Sequence, residues 1–156
     1  MRLSPGRVVR LISYWPPFLA AGIRVEKCAN DLSLIQVSLK QKPWTKNYFG
    51  THFGGSLFSM TDPFFLFILM DRIGKEHIVW DLKTEIEFVK ALSCDVFADF
   101  SVSDEQIEEI KQLALENFRT ESKFFVEVKD ASGQVAAKVT KTLYIRRKDA
   151  KERFRN

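Results

Sequence analysis

The chain has 156 residues, of which 46% are hydrophobic and 28% charged, a composition typical of one soluble globular domain. Its net charge of +4 equals the excess of six basic over two acidic residues in the last eleven positions, 146–156, so no basic surface for nucleic acid is predicted. No signal peptide is recognisable and the longest apolar run, 63–70, is too short to span a bilayer, so we expect a cytoplasmic protein without a membrane span.

The chain begins with a predicted helix and a pair of predicted strands. Ser4 followed by Pro5 is typical of a helix start, and the apolar face that follows predicts an N-terminal helix within residues 1–17. Alternating apolar residues then predict two strands around a polar turn, at 22–29 and 33–40.

A helix with no polar face is predicted from Gly54 to about Arg72. Pro63 should kink this helix or mark its restart, because proline has no backbone N–H to donate. A helix that is apolar all round must be surrounded by protein, and one sheet covers only one of its sides. A second subunit is the obvious candidate for the other side.

The second half of the chain is predicted to be mainly antiparallel strands. Ser103 and Gln106 have the spacing of a capping box, which opens an amphipathic helix. Apolar and polar residues alternate on both sides of that helix and predict four strands, at 82–88, 96–102, 122–130 and 134–147. Lys141 interrupts the apolar row of the last strand. We therefore expect one α+β domain over residues 1–156 that ends in a basic tail, 147–156.

The segment before the central helix has the strongest chemical pattern. Gly50, Gly54 and Gly55 lie within six residues, directly before a helix start whose free N–H groups can stabilise a carbonyl oxygen that gains negative charge. Asp62, about two turns further on, would supply a carboxylate for hydrolysis. The glycines also fit tight packing of a core helix, and Asp62 before Pro63 also fits a helix N-cap.

The pattern Asn-x-x-Gly-x-x-x-Gly-Gly at 47–55, ahead of a long helix and an antiparallel sheet, resembles the hotdog-fold thioesterase superfamily and, within it, the phenylacetic-acid-type acyl-CoA thioesterases. The sequence Gly-Gly-Ser-Leu-x-x-Met-x-Asp-Pro at 54–63, with segments 79–81 and 143–146, resembles an uncharacterised subfamily of that branch. The resemblance covers residues 20–147. It implies a hotdog fold, in which a curved antiparallel sheet wraps around a long central helix, and a homodimer or dimer of dimers with active sites at the dimer interface.

The resemblance also implies a site that hydrolyses an acyl-CoA or acyl-carrier thioester. Asn47 would orient the water or the thioester, the Gly55 N–H would polarise the carbonyl, and Asp62 would act as general base or nucleophile. Five further positions are expected to bind substrate: Gly54, Phe53, Ser56, Trp80 and Arg146. Coenzyme A enters only as part of the substrate, and no metal is expected, because the two His and two Cys are isolated in the sequence.

One departure from the related enzymes leaves two functions open. Phe53 stands where those enzymes commonly have His. Retention of Asp62 and Asn47, with 14 Phe in the chain, favours a thioesterase for an apolar acyl group. The alternative is a non-catalytic hotdog protein that binds acyl-CoA or lipid as a sensor or carrier. An Asp62 carboxylate that faces a tunnel favours the enzyme, and one turned onto its own helix favours the binder. Trp80 could equally be packing, and Arg146 part of a charged tail.

Overall fold

The structure is a computed structural model that describes residues 3–149, so the predicted basic tail lies outside it from residue 150 onward. The helices are α1 (Pro5–Leu11), α2 (Pro16–Ala21), α3 (Gly54–Ser59), α4 (Phe64–Arg72) and α5 (Asp104–Asn117), with 3₁₀ turns at Ile12–Tyr14 and Pro43–Thr45. The strands are β1 (Ile23–Cys28), β2 (Leu34–Leu39), β3 (His77–Phe88), β4 (Val96–Ser101), β5 (Arg119–Asp130) and β6 (Val135–Arg147).

The six strands form one antiparallel sheet in the order β1-β2-β4-β5-β6-β3, which confirms the predicted α+β class. The strands β5 and β6 pair along most of their length, whereas β4 and β5 pair only where Val96 faces Asp130 and Phe97 faces Lys129. Beyond these two pairs the β4 and β5 strands diverge. At this place Phe65 of α4 contacts both strands: its ring centroid lies 5.2 Å from that of Phe100 of β4 and 5.0 Å from that of Phe124 of β5.

The predicted helix over 54–72 is two helices, α3 and α4, joined by residues 60–63. Pro63 marks the restart, as predicted, because a proline cannot donate a backbone hydrogen bond to the turn before it. The Asp62–Pro63 peptide bond is cis. Pro63, rather than Asp62, occupies the N-cap position of α4, and no side chain caps this helix. The alternative in which Asp62 serves as an N-cap is therefore wrong.

Aromatic rings from several elements meet on α4. The ring centroids of Phe64 and Phe100 lie 5.0 Å apart, and Phe65 stacks on Phe124 at the same distance. Phe18 of α2 lies 6.2 Å from Phe64 on the other side. The chain's own N-terminal helices thus cover part of the α4 surface that faces away from the sheet, a surface for which the sequence predicted a second subunit.

Element boundaries differ from the prediction mainly where the alternation of apolar residues is weak. Residues 5–21 hold two short helices and a 3₁₀ turn, because Pro16 begins α2 instead of closing one helix. The strand β3 begins at His77, five residues earlier than predicted, since consecutive apolar residues hide its period of two. The capping box is confirmed: the Ser103 hydroxyl accepts from the Gln106 N–H, and the Gln106 side chain accepts from the Ser103 N–H.

Because Phe64 is fully buried among aromatic rings, Phe64→Ala should lower the free energy of unfolding by about 3–5 kcal/mol. Met70→Ala on the same helix is the matched control, since Met70 is 44% exposed and should change stability by about 1 kcal/mol or less. Urea unfolding followed by circular dichroism measures both. Equal losses in the two variants would contradict the assignment of α4 as the core helix.

Candidate functional site

Asp62 lies in the connection between α3 and α4 and forms part of the wall of an apolar groove of about 540 Å³. Its side chain is 48% exposed, so its carboxylate faces solvent within a mainly apolar surface. Most of the groove comes from the N-terminal segment and from the start of α4; its walls include Val8, Leu11, Trp15, Pro63 and Phe67. The groove therefore combines an apolar surface with one acidic group.

The partner of Asp62 is a lysine that no solvent reaches. The Lys141 ammonium donates to Oδ1 of Asp62, and it lies 3.1 Å from Oδ1 of Asp81, an ion pair without hydrogen-bond geometry. The Lys141 residue is 0% exposed. The arrangement of one buried ammonium between two carboxylates carries one net negative charge and is called the Lys141 cluster below.

Strand pairing places Asp81 beside Lys141. Asp81 of β3 faces Leu143 of β6, so Lys141, two residues from Leu143 on the same face, is its diagonal neighbour. The register shifts between Asp81 and Lys83, where one extra residue of β3 bulges. In the sequence, Lys141 stands out only as an interruption of an apolar row, a pattern that predicts no role by itself. That interruption is the signal from which the cluster could have been found.

Burial and the charges of the cluster shift the pKa of the Asp81 carboxyl. Burial raises the pKa of the Asp81 carboxyl above its ordinary value; the Lys141 charge opposes this rise, and the Asp62 charge adds to it. A carboxyl with a raised pKa holds a proton more readily than one in water does. Such perturbed groups are more frequent at functional sites than elsewhere.

Asn47 uses all of its side-chain hydrogen-bonding capacity inside its own loop. Its amide group donates to the Thr51 hydroxyl at 2.9 Å and to the His52 carbonyl at 3.0 Å. Its carbonyl oxygen accepts from the N–H groups of Phe49 and Thr51. An amide side chain has two donors and two acceptor positions, so these four bonds occupy it fully. In this structure Asn47 holds the glycine loop in shape.

The start of α3 presents two N–H groups and is partly covered by a ring. The N–H groups of Ser56 and Leu57 bond to the Phe53 carbonyl, which leaves those of Gly54 and Gly55 without an acceptor inside the helix. The ring of Phe53 packs over Gly55: a Cβ there would lie 2.4 Å from Cε1 of that ring. A side chain at position 55 would therefore displace the exposed Phe53 ring.

The predicted site residues fall into two separate clefts of the chain. Asn47 and Gly54 line a cleft of about 330 Å³, whereas Asp62 lines the apolar groove. Gly54 begins α3, whereas Asp62 lies beyond the end of α3, in the connection to α4. Ser56 is buried, and Phe53, next to Gly54, is 58% exposed.

Trp80 and Arg146 lie on the outer face of the sheet. Successive strand residues point to opposite faces, so Trp80 points away from Asp81, and Arg146 points away from Lys141. Trp80 is 68% exposed, and Arg146 is partly buried. Within one chain, both side chains therefore lie on the opposite face of the sheet from Asp81, Lys141 and the helix connection that contains Asp62.

Within residues 3–149, no three His, Cys, Asp or Glu side chains are grouped in a way that could hold a metal ion. In the same part of the chain no helix combines the length and the apolar character needed to cross a membrane.

The fold is shared with solved thioesterase-like structures. A protein of unknown function from Pseudomonas aeruginosa, described as a probable thioesterase, superposes with a TM-score of 0.81 at 16% identity, over 94% of this chain and 98% of that one. A thioesterase from Haemophilus influenzae superposes with a TM-score of 0.65 at 10% identity, over 91% and 90%. At these identities the likeness establishes the fold alone, and the predicted hotdog fold is confirmed.

Sequence comparison places the chain in a family. No curated protein matches it. One family model matches residues 7–145, which is most of the chain and includes the glycine loop, Asp62 and Lys141. The protein therefore belongs to the family described as a domain of unknown function, DUF4442.

Proposed function

We propose that this protein hydrolyses thioesters of apolar acyl groups, as acyl-CoA or acyl-carrier substrates, in the manner of the phenylacetic-acid-type branch of hotdog thioesterases. The observation that carries the proposal is the Asp62 carboxylate, half-exposed on the wall of an apolar groove and bound to a buried ammonium. This carboxylate is not turned onto the N–H groups of α4, so it is not occupied as a helix cap. The names of the structural neighbours agree with this reaction class.

The proposed reaction assigns one task to each group. The acyl chain lies in the apolar groove, and its thioester carbonyl oxygen accepts from the Gly55 N–H at a helix start. Asp62 takes a proton from a water molecule as that water's oxygen bonds to the carbonyl carbon. When the tetrahedral intermediate collapses, the carbon–sulfur bond breaks and the thiolate takes the proton from Asp62. The products are a free acid and a thiol.

The separation of the two clefts supports a site built from two chains. One thioester carbonyl must meet both the N–H groups of the helix start and the water that Asp62 activates, yet within one chain Gly54 and Asp62 line different clefts. A partner chain that brings its own glycine loop to the Asp62 groove removes this mismatch. We therefore propose a homodimer, or a dimer of dimers, as the active form.

The edge of the sheet offers a surface for that partner. In the sheet formed by the described residues, β3 is an edge strand of twelve residues and pairs with β6 alone. Exposed apolar side chains accompany this edge: Trp80, Leu82 and Phe88. An exposed edge strand pairs readily with another strand, and an identical copy of the same strand closes a two-fold dimer. In this assembly we assign Trp80 and Arg146 to the thiol carrier, whose phosphates suit an arginine.

Two observations favour a second candidate, a non-catalytic binder of acyl-CoA or lipid. The Phe53 ring covers Gly55, and the Asn47 side chain has no hydrogen-bonding capacity left for a water. For catalysis, the exposed Phe53 ring would have to move away from Gly55. Asn47 would have to give up one of its four hydrogen bonds to bind water, or else contribute only by holding the loop in its conformation. A carrier would need neither change.

Asp62→Asn should lower thiol release from acyl-CoA substrates about a hundredfold or more, because an amide cannot take the proton from water. A panel of acyl-CoAs from short to long chains is assayed with a thiol reagent. The matched control is Asp71→Asn, an exposed carboxylate on α4, which should keep wild-type activity. If wild type releases no thiol from any substrate but binds acyl-CoA, the protein is a binder and the thioesterase proposal fails.

Mixing two inactive variants tests whether the site spans two chains. Asp62→Asn and Gly55→Val should each be inactive alone. In the first variant both sites of the dimer lack the carboxylate, and in the second both have an altered helix start. Refolded together in equal amounts, they should regain about a quarter of wild-type activity, because each mixed dimer contains one intact site. A mixture that stays inactive, although native mass spectrometry shows mixed dimers, would place Asp62 and Gly55 of the same chain in one site.

A further inference from the structure

We propose that Lys141 is the positioning residue of this site and that Asp81 is the carboxylate that holds the Lys141 ammonium in place while Asp62 reacts. The proposal rests on the proposed hydrolysis and adds two residues to it. Neither belongs to the set that the sequence identified: Asp62, Asn47, the glycine loop, Trp80 and Arg146.

The complete burial of Lys141 indicates that its charge has a specific role. The residue is fully buried, and its strand neighbours on the same face, Val139 and Leu143, are almost completely buried as well. Phe124 faces it from β5. Removing an ammonium from water into such surroundings is costly unless anions surround it, and an apolar residue would continue the row at lower cost. The lysine is therefore explained by what it does to its two carboxylates.

The two carboxylates face Lys141 from different elements and differ in exposure. Asp62 reaches it from the connection between α3 and α4 and remains half-exposed in the groove. Asp81 reaches it from β3 and is 30% exposed. The ammonium thus fixes one oxygen of Asp62, which orients the carboxylate toward the groove, while Asp81 holds the ammonium from the sheet side.

The proposed reaction requires this second carboxylate. When Asp62 accepts the proton from water it becomes neutral, and Lys141 loses one of its counter-charges. Without Asp81 the ammonium would then be buried and unpaired, a state that is strongly unfavourable. The Asp81 carboxylate keeps the ammonium paired throughout the step, so the transition state does not carry that cost.

The first test is a titration of Asp81 in the protein without substrate, followed by the carbon-13 signal of its carboxyl group. Removing the negative charge in Asp62→Asn should lower the pKa of Asp81, and removing the positive charge in Lys141→Met should raise it. The control is Asp99→Asn, an exposed β4 carboxylate paired with Gln36, which should leave Asp81 unchanged. Lys141→Met leaves two carboxylates without their cation and could fail to fold. In that case the Asp81 pKa measured in Asp62→Asn decides the test.

The second test is kinetic. Asp81→Asn should lower kcat on the order of 10- to 100-fold and change KM little, since the lost pairing matters in the transition state and not in substrate binding. Lys141→Arg, which keeps the charge, should retain more activity than Lys141→Met. A merely structural role would instead lower the amount of folded enzyme and leave kcat per folded molecule unchanged.

The outcomes separate the two levels of the proposal. An Asp81 pKa that does not move in Asp62→Asn, or an Asp81→Asn enzyme with wild-type kcat, overturns the role of Lys141 and Asp81 even if wild type is an active thioesterase. If wild type hydrolyses no thioester, the proposed function fails and the kinetic role fails with it. In that case the titration still decides whether one ammonium is shared between the two carboxylates.

Discussion

The burial of one ammonium beneath the break between two helices is the constraint on which the rest of the site depends. Lys141 points from the middle of β6 into the layer between sheet and helices, where its neighbours on the same face of β6, Val139 and Leu143, are apolar and buried. A charge in that layer is tolerated only when anions reach it, so the chain must deliver carboxylates to this place. One comes from the adjacent strand, and the other from the connection between α3 and α4.

The break in the central helix allows the second carboxylate to arrive. Had the helix continued from Gly54 to Arg72, its apolar surface would have run unbroken over the sheet. The first part ends at Ser59, Pro63 marks the restart of the second, and the connection in between turns Asp62 toward Lys141. The same connection leaves the carboxylate half-exposed beside the groove lined by the N-terminal segment. Residues 60–63 therefore both connect the two packed helices and place the proposed catalytic carboxylate beside the groove.

The position of the glycine loop is the main support for the proposed assembly of two chains. Its cleft contains Asn47 and Gly54, and the Asp62 carboxylate lies in a different cleft of the same chain. The two halves of the proposed site thus lie in different clefts of one chain, and a second chain would bring them to one carbonyl. In the proposed dimer, the second copy would pair with the long edge strand β3, which exposed apolar side chains accompany, and place its own loop at the Asp62 groove.

Local sequence determined the features that depend on near neighbours along the chain. The capping box at Ser103, the restart of the helix at Pro63, the alternating strands and the glycine loop all follow from backbone rules that act over a few residues. The same rules favoured a continuous N-terminal helix within 1–17 and a late start for β3, which the structure corrects. They also left open whether Asp62 was a helix cap. Only the tertiary structure decided that question, because the partner of Asp62 is Lys141, 79 residues further along the chain. The sequence marks Lys141 as an interruption of an apolar row, but the pairing of β6 with β3 and the packing of the helices above them bring its charge to Asp62 and Asp81.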